Sequence, residues 1–163
     1  MFTSFFNSPL GCIKLECSSE HLLSVSFINV DENSPINHHP ILEETTLQLK
    51  AFFEGKHRTF NIPMNQNGTE FQKKVWDLLY TIPYGKTISY NELAKQYGDI
   101  KAIRAVAAAN GRNNIAIIIP CHRVIGSDRS LTGYAGGLWR KKWLLDHEAK
   151  FSGNASQGNL FGF

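Results

Sequence analysis

Residues 12–17 alternate strictly: Ile13, Leu15 and Cys17 fall on one side, Cys12, Lys14 and Glu16 on the other. A period of two marks a half-buried β-strand, and Pro9–Gly11 supplies a turn before it. Residues 22–27 alternate again, with Leu23, Val25 and Phe27 on one side, and predict another strand. The polar stretch 28–40, with Pro35 and Pro40, predicts a loop. Beyond it Leu42, Leu49, Phe52 and Phe53 share one helical face, and Gly55 is placed to end that helix. A short strand near 58–62 would complete a small β-rich domain over residues 1–64.

Asn65-Gln66-Asn67-Gly68 reads as a linker, and after it the period becomes helical. Phe71, Val75, Leu78 and Leu79 form one face of a helix that stops before Pro83. Ser89 and Glu92 have the spacing of a capping box and open a second helix running to about Tyr97-Gly98. Asp99 can cap a third over 100–109, closed by Asn110-Gly111. Two short helices around a Gly-containing turn predict a helix-turn-helix. The third helix, IKAIRAVAAAN, is almost bare, with Arg104 as its one long cationic side chain near the middle. Such a helix either packs in a core or fits a groove too narrow for large side chains. The expected class is α+β: a β-rich first domain, then a mainly helical, winged-helix-like domain over 69–149, then a flexible tail over 150–163.

At 42% hydrophobic and 19% charged residues the chain is expected to fold. No apolar run approaches the ~20 residues of a membrane span, and the first residues lack signal-peptide character, so a cytosolic protein is expected. Three cysteines make no disulfide framework. Cys12, Cys17, His38 and His39 either hold zinc or are two half-buried thiols and two loop histidines; no zinc-ligand spacing supports the first. Charge is unevenly placed. Residues 1–63 carry four Lys/Arg against seven Asp/Glu, and residues 64–163 carry thirteen against seven. A polyanion would meet the second part, although an uneven solvated surface is an equal reading.

Residues 115–119 are a continuous apolar run, as in a fully buried strand or core segment. They lead directly into Pro120-Cys121-His122-Arg123-Val124. A thiol with an ordinary pKa near ~8.5 is only a few per cent thiolate at neutral pH, and a histidine base oriented by a carboxylate would raise the reactive fraction. Asn113 stands eight positions before the cysteine, and Gly133-Tyr134-Ala135-Gly136-Gly137-Leu138 follows it. Lys141-Lys142-Trp143-Leu144-Leu145 and His147-Glu148 come next; Pro83-Tyr84-Gly85, Ile88-Ser89-Tyr90 and Arg104-Ala105-Val106 stand upstream. This set closely resembles the O6-methylguanine-DNA methyltransferase family, Ogt type, from about residue 71 to 148. Ser8-Pro9-Leu10-Gly11 resembles its first β-turn.

The resemblance implies DNA repair by a single irreversible transfer of an alkyl group from O6-alkylguanine to Cys121, after the base is flipped out of the duplex. It matches His122 to a histidine that reaches the thiol through a water, and Glu148 to the carboxylate behind it. Asn113 matches the asparagine fixing the turn before the reactive segment, and Tyr90 the tyrosine beside the flipped nucleotide. Arg104 matches the finger that fills the vacated stack. Asn91 and Ser127 match phosphate contacts, and Ala105 and Arg123 join the DNA-binding set. Pro120, Val124, Tyr134 and Ala135 match the guanine pocket. Ala135 stands where some members have serine; a backbone N–H contact there survives the change, while tolerance of bulky adducts is left open. The implied partner is double-stranded DNA bound through the minor groove by a monomer, without metal or cofactor. Alternatives are a sensor that binds and flags alkylated bases without repairing them, and a thiol hydrolase. The tail lies outside the resemblance. Gln157, Leu160 and Phe161 either fold back on the domain or dock a sliding clamp.

Overall fold

A computed structural model of the chain describes residues 1–29 and 36–153. It divides into two compact units, Met1–Asn67 with Asn114–Ala116, and Gly68–Asn113 with Ile117–Phe163.

The first unit holds β1 (Phe2–Ser8), β2 (Gly11–Cys17) and β3 (Leu22–Ile28), an antiparallel sheet in sequential order. Ser8 closes the first hairpin: its Oγ accepts from the Leu10 N–H at 3.0 Å and donates to the Gly11 carbonyl at 2.8 Å. Ile13, Leu15 and Cys17 are fully buried, as the alternation of β2 requires. β3 departs from its expected face. The register slips between Glu16 and Cys17, so Leu22, not Leu23, joins Val25 in the core. A bulge does this by inserting one residue into a two-residue period. α1 (Pro40–Phe53) packs on β1 and β2, burying Leu42, Thr45, Leu49 and Phe52, while Phe53 is half-buried.

No strand forms at residues 58–62. Phe60 and Ile62 are buried, but the backbone is held by a side chain. Gln48 accepts from the Asn61 N–H at 3.0 Å and donates to its carbonyl at 3.3 Å, where a ladder partner would stand. The zinc reading also finds no support. Cys12 and Cys17 lie an odd number of residues apart on one strand, hence on opposite faces. Among the described residues no three His, Cys, Asp or Glu side chains gather as metal ligands.

The second unit holds α2 (Glu70–Tyr80), β4 (Ile88–Ser89), α3 (Tyr90–Tyr97), α4 (Ile103–Gly111), β5 (Val124–Ile125) and α5 (Leu138–Phe151). A full capping box of Thr69 and Gln72 starts α2. Its buried face is Val75, Trp76 and Leu79, and the Trp76 indole donates to the Ala109 carbonyl of α4 at 2.9 Å. Phe71 and Leu78 are only half-buried. Ser89 caps α3 by accepting from the Glu92 N–H at 3.0 Å, and Gly98, with φ 110°, ends it in the left-handed region. Asp99 caps a 3-10 turn over Ile100–Ala102 rather than the α-helix, which begins only at Ile103. α3 and α4 are the helix-turn-helix. β4 and β5 pair in parallel, Ile88 with Val124 and Ser89 with Ile125. This ties the entrance of α3 to the residues just after Arg123.

Candidate active site

The apolar run 115–119 is the core-segment alternative, not a strand. Apart from a bridge at Ile115, its backbone turns, and the fully buried Ile117 has φ 71°, uncommon for a β-branched residue. The run delivers Pro120 to a 3-10 turn over Cys121–Arg123. Two side-chain amides at the end of α4 hold it. Asn113 donates to the Ile119 carbonyl at 2.8 Å and Asn110 to the Cys121 carbonyl at 3.5 Å.

Cys121 is 7% exposed. Burial pushes its thiol pKa up, against opposing pulls from the Asn113 amide, the Lys141 ammonium and its own backbone. The resting group is therefore a thiol that needs a base. His122, fully buried, places Nε2 2.6 Å from Glu148 Oε2. Burial alone would raise the Glu148 pKa, but His122 and Arg123 together hold it at about 2. An ionised carboxylate only accepts, so Nε2 carries the hydrogen and Nδ1 keeps the lone pair. Nδ1 is buried and bonded to no group among the described residues. Burial also lowers the pKa of His122, as do Arg123 and Lys141, against the pull of Glu148. The imidazole is thus neutral and base-competent.

Arg123 requires a correction. Expected among DNA contacts, it is 6% exposed. Its Nε and Nη2 reach the two Glu148 oxygens at 2.8 and 3.0 Å, and Nη1 reaches the Ile82 carbonyl at 2.6 Å. Three of its five N–H donors are spent inside the fold, and the buried group is turned away from the surface a phosphate would reach.

Lys141 stood in the sequence only as part of a motif, with no role assigned to it. It is 0% exposed, its ammonium donating to the carbonyls of Thr132 at 3.0 Å and Gly133 at 3.3 Å. Burial lowers its pKa to about 8, against the pull of Cys121. The signal was legible: Lys141, Leu144, Leu145, Glu148 and Ala149, all buried on α5, have i, i+3, i+4, i+7, i+8 spacing. Two charges on an apolar stripe mark a site. Tyr90 donates to the same Thr132 carbonyl at 2.9 Å, and burial keeps it a phenol. The loop leading to Tyr134 and Ala135 is pinned from two sides; Tyr134 is half-buried, Ala135 exposed, and Pro120 and Val124 buried.

Toward solvent, α4 shows Arg104, Ala105 and Ala108, while Val106, Ala109 and Asn110 face inward. The packing reading holds for the inward face, and the outward face is small and exposed. Asn91 donates to Ser127 Oγ at 2.9 Å, bringing the two expected phosphate contacts together.

Glu148 makes stability depend on pH. The unfolded carboxyl titrates near 4.5 and the folded one near 2, so its contribution is complete above pH 4.5 and lost as pH falls from there to about 2. The total is roughly 3 kcal/mol. Thermal unfolding should show Tm dropping through this window, and less steeply in Glu148→Gln.

The chain matches two family models: 6-O-methylguanine DNA methyltransferase, ribonuclease-like domain, over residues 1–66, and its DNA binding domain over residues 70–150. A methylated-DNA–protein-cysteine methyltransferase of Methanosarcina acetivorans is 45% identical over 153 residues, 91% of this chain and 98% of that one. One from Mycolicibacterium paratuberculosis is 54% identical over 105 residues, 64% of each chain. The crystal structure of Mycobacterium tuberculosis OGT in complex with DNA superposes with TM-score 0.85 at 39% identity, covering 93% of this chain and 94% of that one. With both halves matched and a relative similar along nearly its whole length, the chain belongs to the 6-O-methylguanine DNA methyltransferase family.

Proposed function

We infer that this chain repairs O6-alkylguanine in DNA by moving the alkyl group irreversibly to Cys121, once per molecule. The observation that carries the reading is a buried, protonated thiol followed directly by a neutral imidazole whose Nε2 is committed to an ionised carboxylate. A sensor that only binds damaged DNA has no use for such a base.

The target carbon sits on a stacked base, so the nucleotide must be extruded at a cost of a few kcal/mol. The exposed alanines of α4 suit a minor groove only about 6 Å wide, and Arg104 is the side chain placed to fill the gap. Asn91 and Ser127 suit a phosphate of the flipped nucleotide, and Ala105 the close approach. With guanine between Pro120, Val124, Tyr134 and Ala135, the Cys121 proton passes through a water to His122 Nδ1, and Glu148 stabilises the imidazolium formed. Sulfur then bonds to the alkyl carbon as the carbon–O6 bond breaks, its electron pair staying on guanine. Tyr90, turning its one hydroxyl hydrogen away from the Thr132 carbonyl, donates a hydrogen bond to the departing base. The chemistry needs no metal or cofactor, the thioether has no route back, and the expected setting is the cytosol. Duplex carrying a labelled O6-methyl group should transfer one label per protein and then stop; continued turnover would contradict the reading.

Gln157, Leu160 and Phe161 lie outside the described residues. Their spacing supports docking to a sliding clamp, which would raise local concentration at replicated DNA without new DNA contacts. A fluorescent peptide of residues 150–163 should bind the host's clamp saturably, and Leu160→Ala with Phe161→Ala should remove the binding. No saturation up to high micromolar peptide would contradict it.

A further inference from the structure

We propose that Arg123 is a positioning residue for the proton relay: its guanidinium forks the Glu148 carboxylate and offsets part of the negative charge facing His122, helping the buried ring to keep its lone pair on Nδ1. This rests on the reading of Cys121 as alkyl acceptor.

The Glu148 carboxylate is saturated. Oε1 accepts from Arg123 Nε at 2.8 Å and from the Gly85 N–H at 3.2 Å. Oε2 accepts from Arg123 Nη2 at 3.0 Å and meets His122 Nε2 at 2.6 Å. The Ile82 carbonyl fixes the third arm of the guanidinium at 2.6 Å, and the Tyr84 ring lies 5.7 Å away. Both members of the pair are almost fully buried, where charges interact strongly.

A histidine against a lone buried carboxylate would take up a proton and form an ion pair. It would then have no lone pair for the thiol. Here burial disfavours that uptake first, and a carboxylate already paired with a cation pulls on the ring less than a lone one would, so Glu148 orients the ring while Arg123 weakens its pull. The other groups facing the ring agree. Lys141 on α5 adds a second positive charge, and Cys121 beside it is a thiol. The turn after α2 holds the other two members: the Ile82 carbonyl and the Tyr84 ring face Arg123, and the Gly85 N–H donates to Glu148. The relay thus keeps its base at mildly acidic pH, where an unmatched His–Glu pair would be protonated.

The test is the rate of alkyl transfer against pH in the full chain. In Arg123→Met the acid limb should move upward by about one unit or more, a loss of roughly tenfold at pH 6 relative to pH 8. Arg123→Lys should keep the limb in place, because the charge remains. Arg123→Met with Glu148→Gln should return the limb toward its wild-type position, though at a lower plateau, because the unmatched anion is gone. A role in stability alone predicts lower Tm with no movement of the limb. An unmoved limb in folded Arg123→Met, or a full shift in Arg123→Lys, overturns the proposal. Should Arg123→Met fail to fold, ring-nitrogen NMR of His122 in the wild type and in Arg123→Lys decides. A neutral ring protonated on Nε2 at pH 6 in both supports it, and an imidazolium at pH 7 in either overturns it. Failure of the wild type to accept any alkyl group would instead sink the functional reading, while the ring signal still reports on Arg123.

Discussion

Cys121→Ala is expected to abolish alkyl transfer while leaving DNA affinity nearly unchanged. The thiol is 7% exposed and small, so it offers almost nothing to a DNA surface whose affinity comes from phosphate contacts. The same substitution removes one sulfur from a well-packed turn, a change the fold should absorb with modest loss. The expected pair of results is therefore no detectable transfer and a binding isotherm close to wild type, with a similar salt slope. Collapse of binding together with transfer would place the thiol in a role this account does not give it. His122→Ala should behave similarly in kind but less completely, because it removes the base and keeps the nucleophile.

Arg104→Ala is expected to slow repair of duplex DNA by roughly ten- to a hundredfold, the rate equivalent of about 1–3 kcal/mol. That is the share of the extrusion cost, a few kcal/mol, that a side chain filling the stack can return. Arg104 is exposed on α4, and no hydrogen bond or ion pair to it is found among the described residues. Its loss should then change stability by no more than about 0.5 kcal/mol, leaving Tm close to wild type. The informative comparison is the free base O6-benzylguanine, if it fits beside Ala135. That substrate needs no extrusion, so its reaction should be almost untouched. Equal losses on both substrates would contradict a flipping role.

Much of this was readable in the chain, and the exceptions have physical causes. β2 and α3 were clear because each carries its own signal: strict alternation in one, and Ser89 and Gly98 as caps in the other. β1 was not, because Phe2 and Phe6 share one face and Phe5 holds the other, which erases the period of two. β4 and β5 are two residues each, below any window, and exist only because distant segments meet. α5 could have been read from its stripe at helical spacing, but was passed over because two of the positions, Lys141 and Glu148, are charged. Around Cys121, the resemblance named the acceptor, the base and the carboxylate by position. It could not reveal that Arg123 turns inward, because that depends on Glu148 arriving from 25 residues further along. Nor did it show Asn110, whose apparent duty was to end a helix and whose amide lies against the Cys121 carbonyl.

The central claim is covalent, and mass spectrometry of the protein after incubation with duplex O6-methylguanine DNA tests it most directly. The account predicts one added methyl group, replacing one hydrogen, on the peptide containing Cys121 and on no other, with unmodified guanine left in the DNA. A methyl group on Cys12 or Cys17, or an unmodified protein beside repaired DNA, would contradict it.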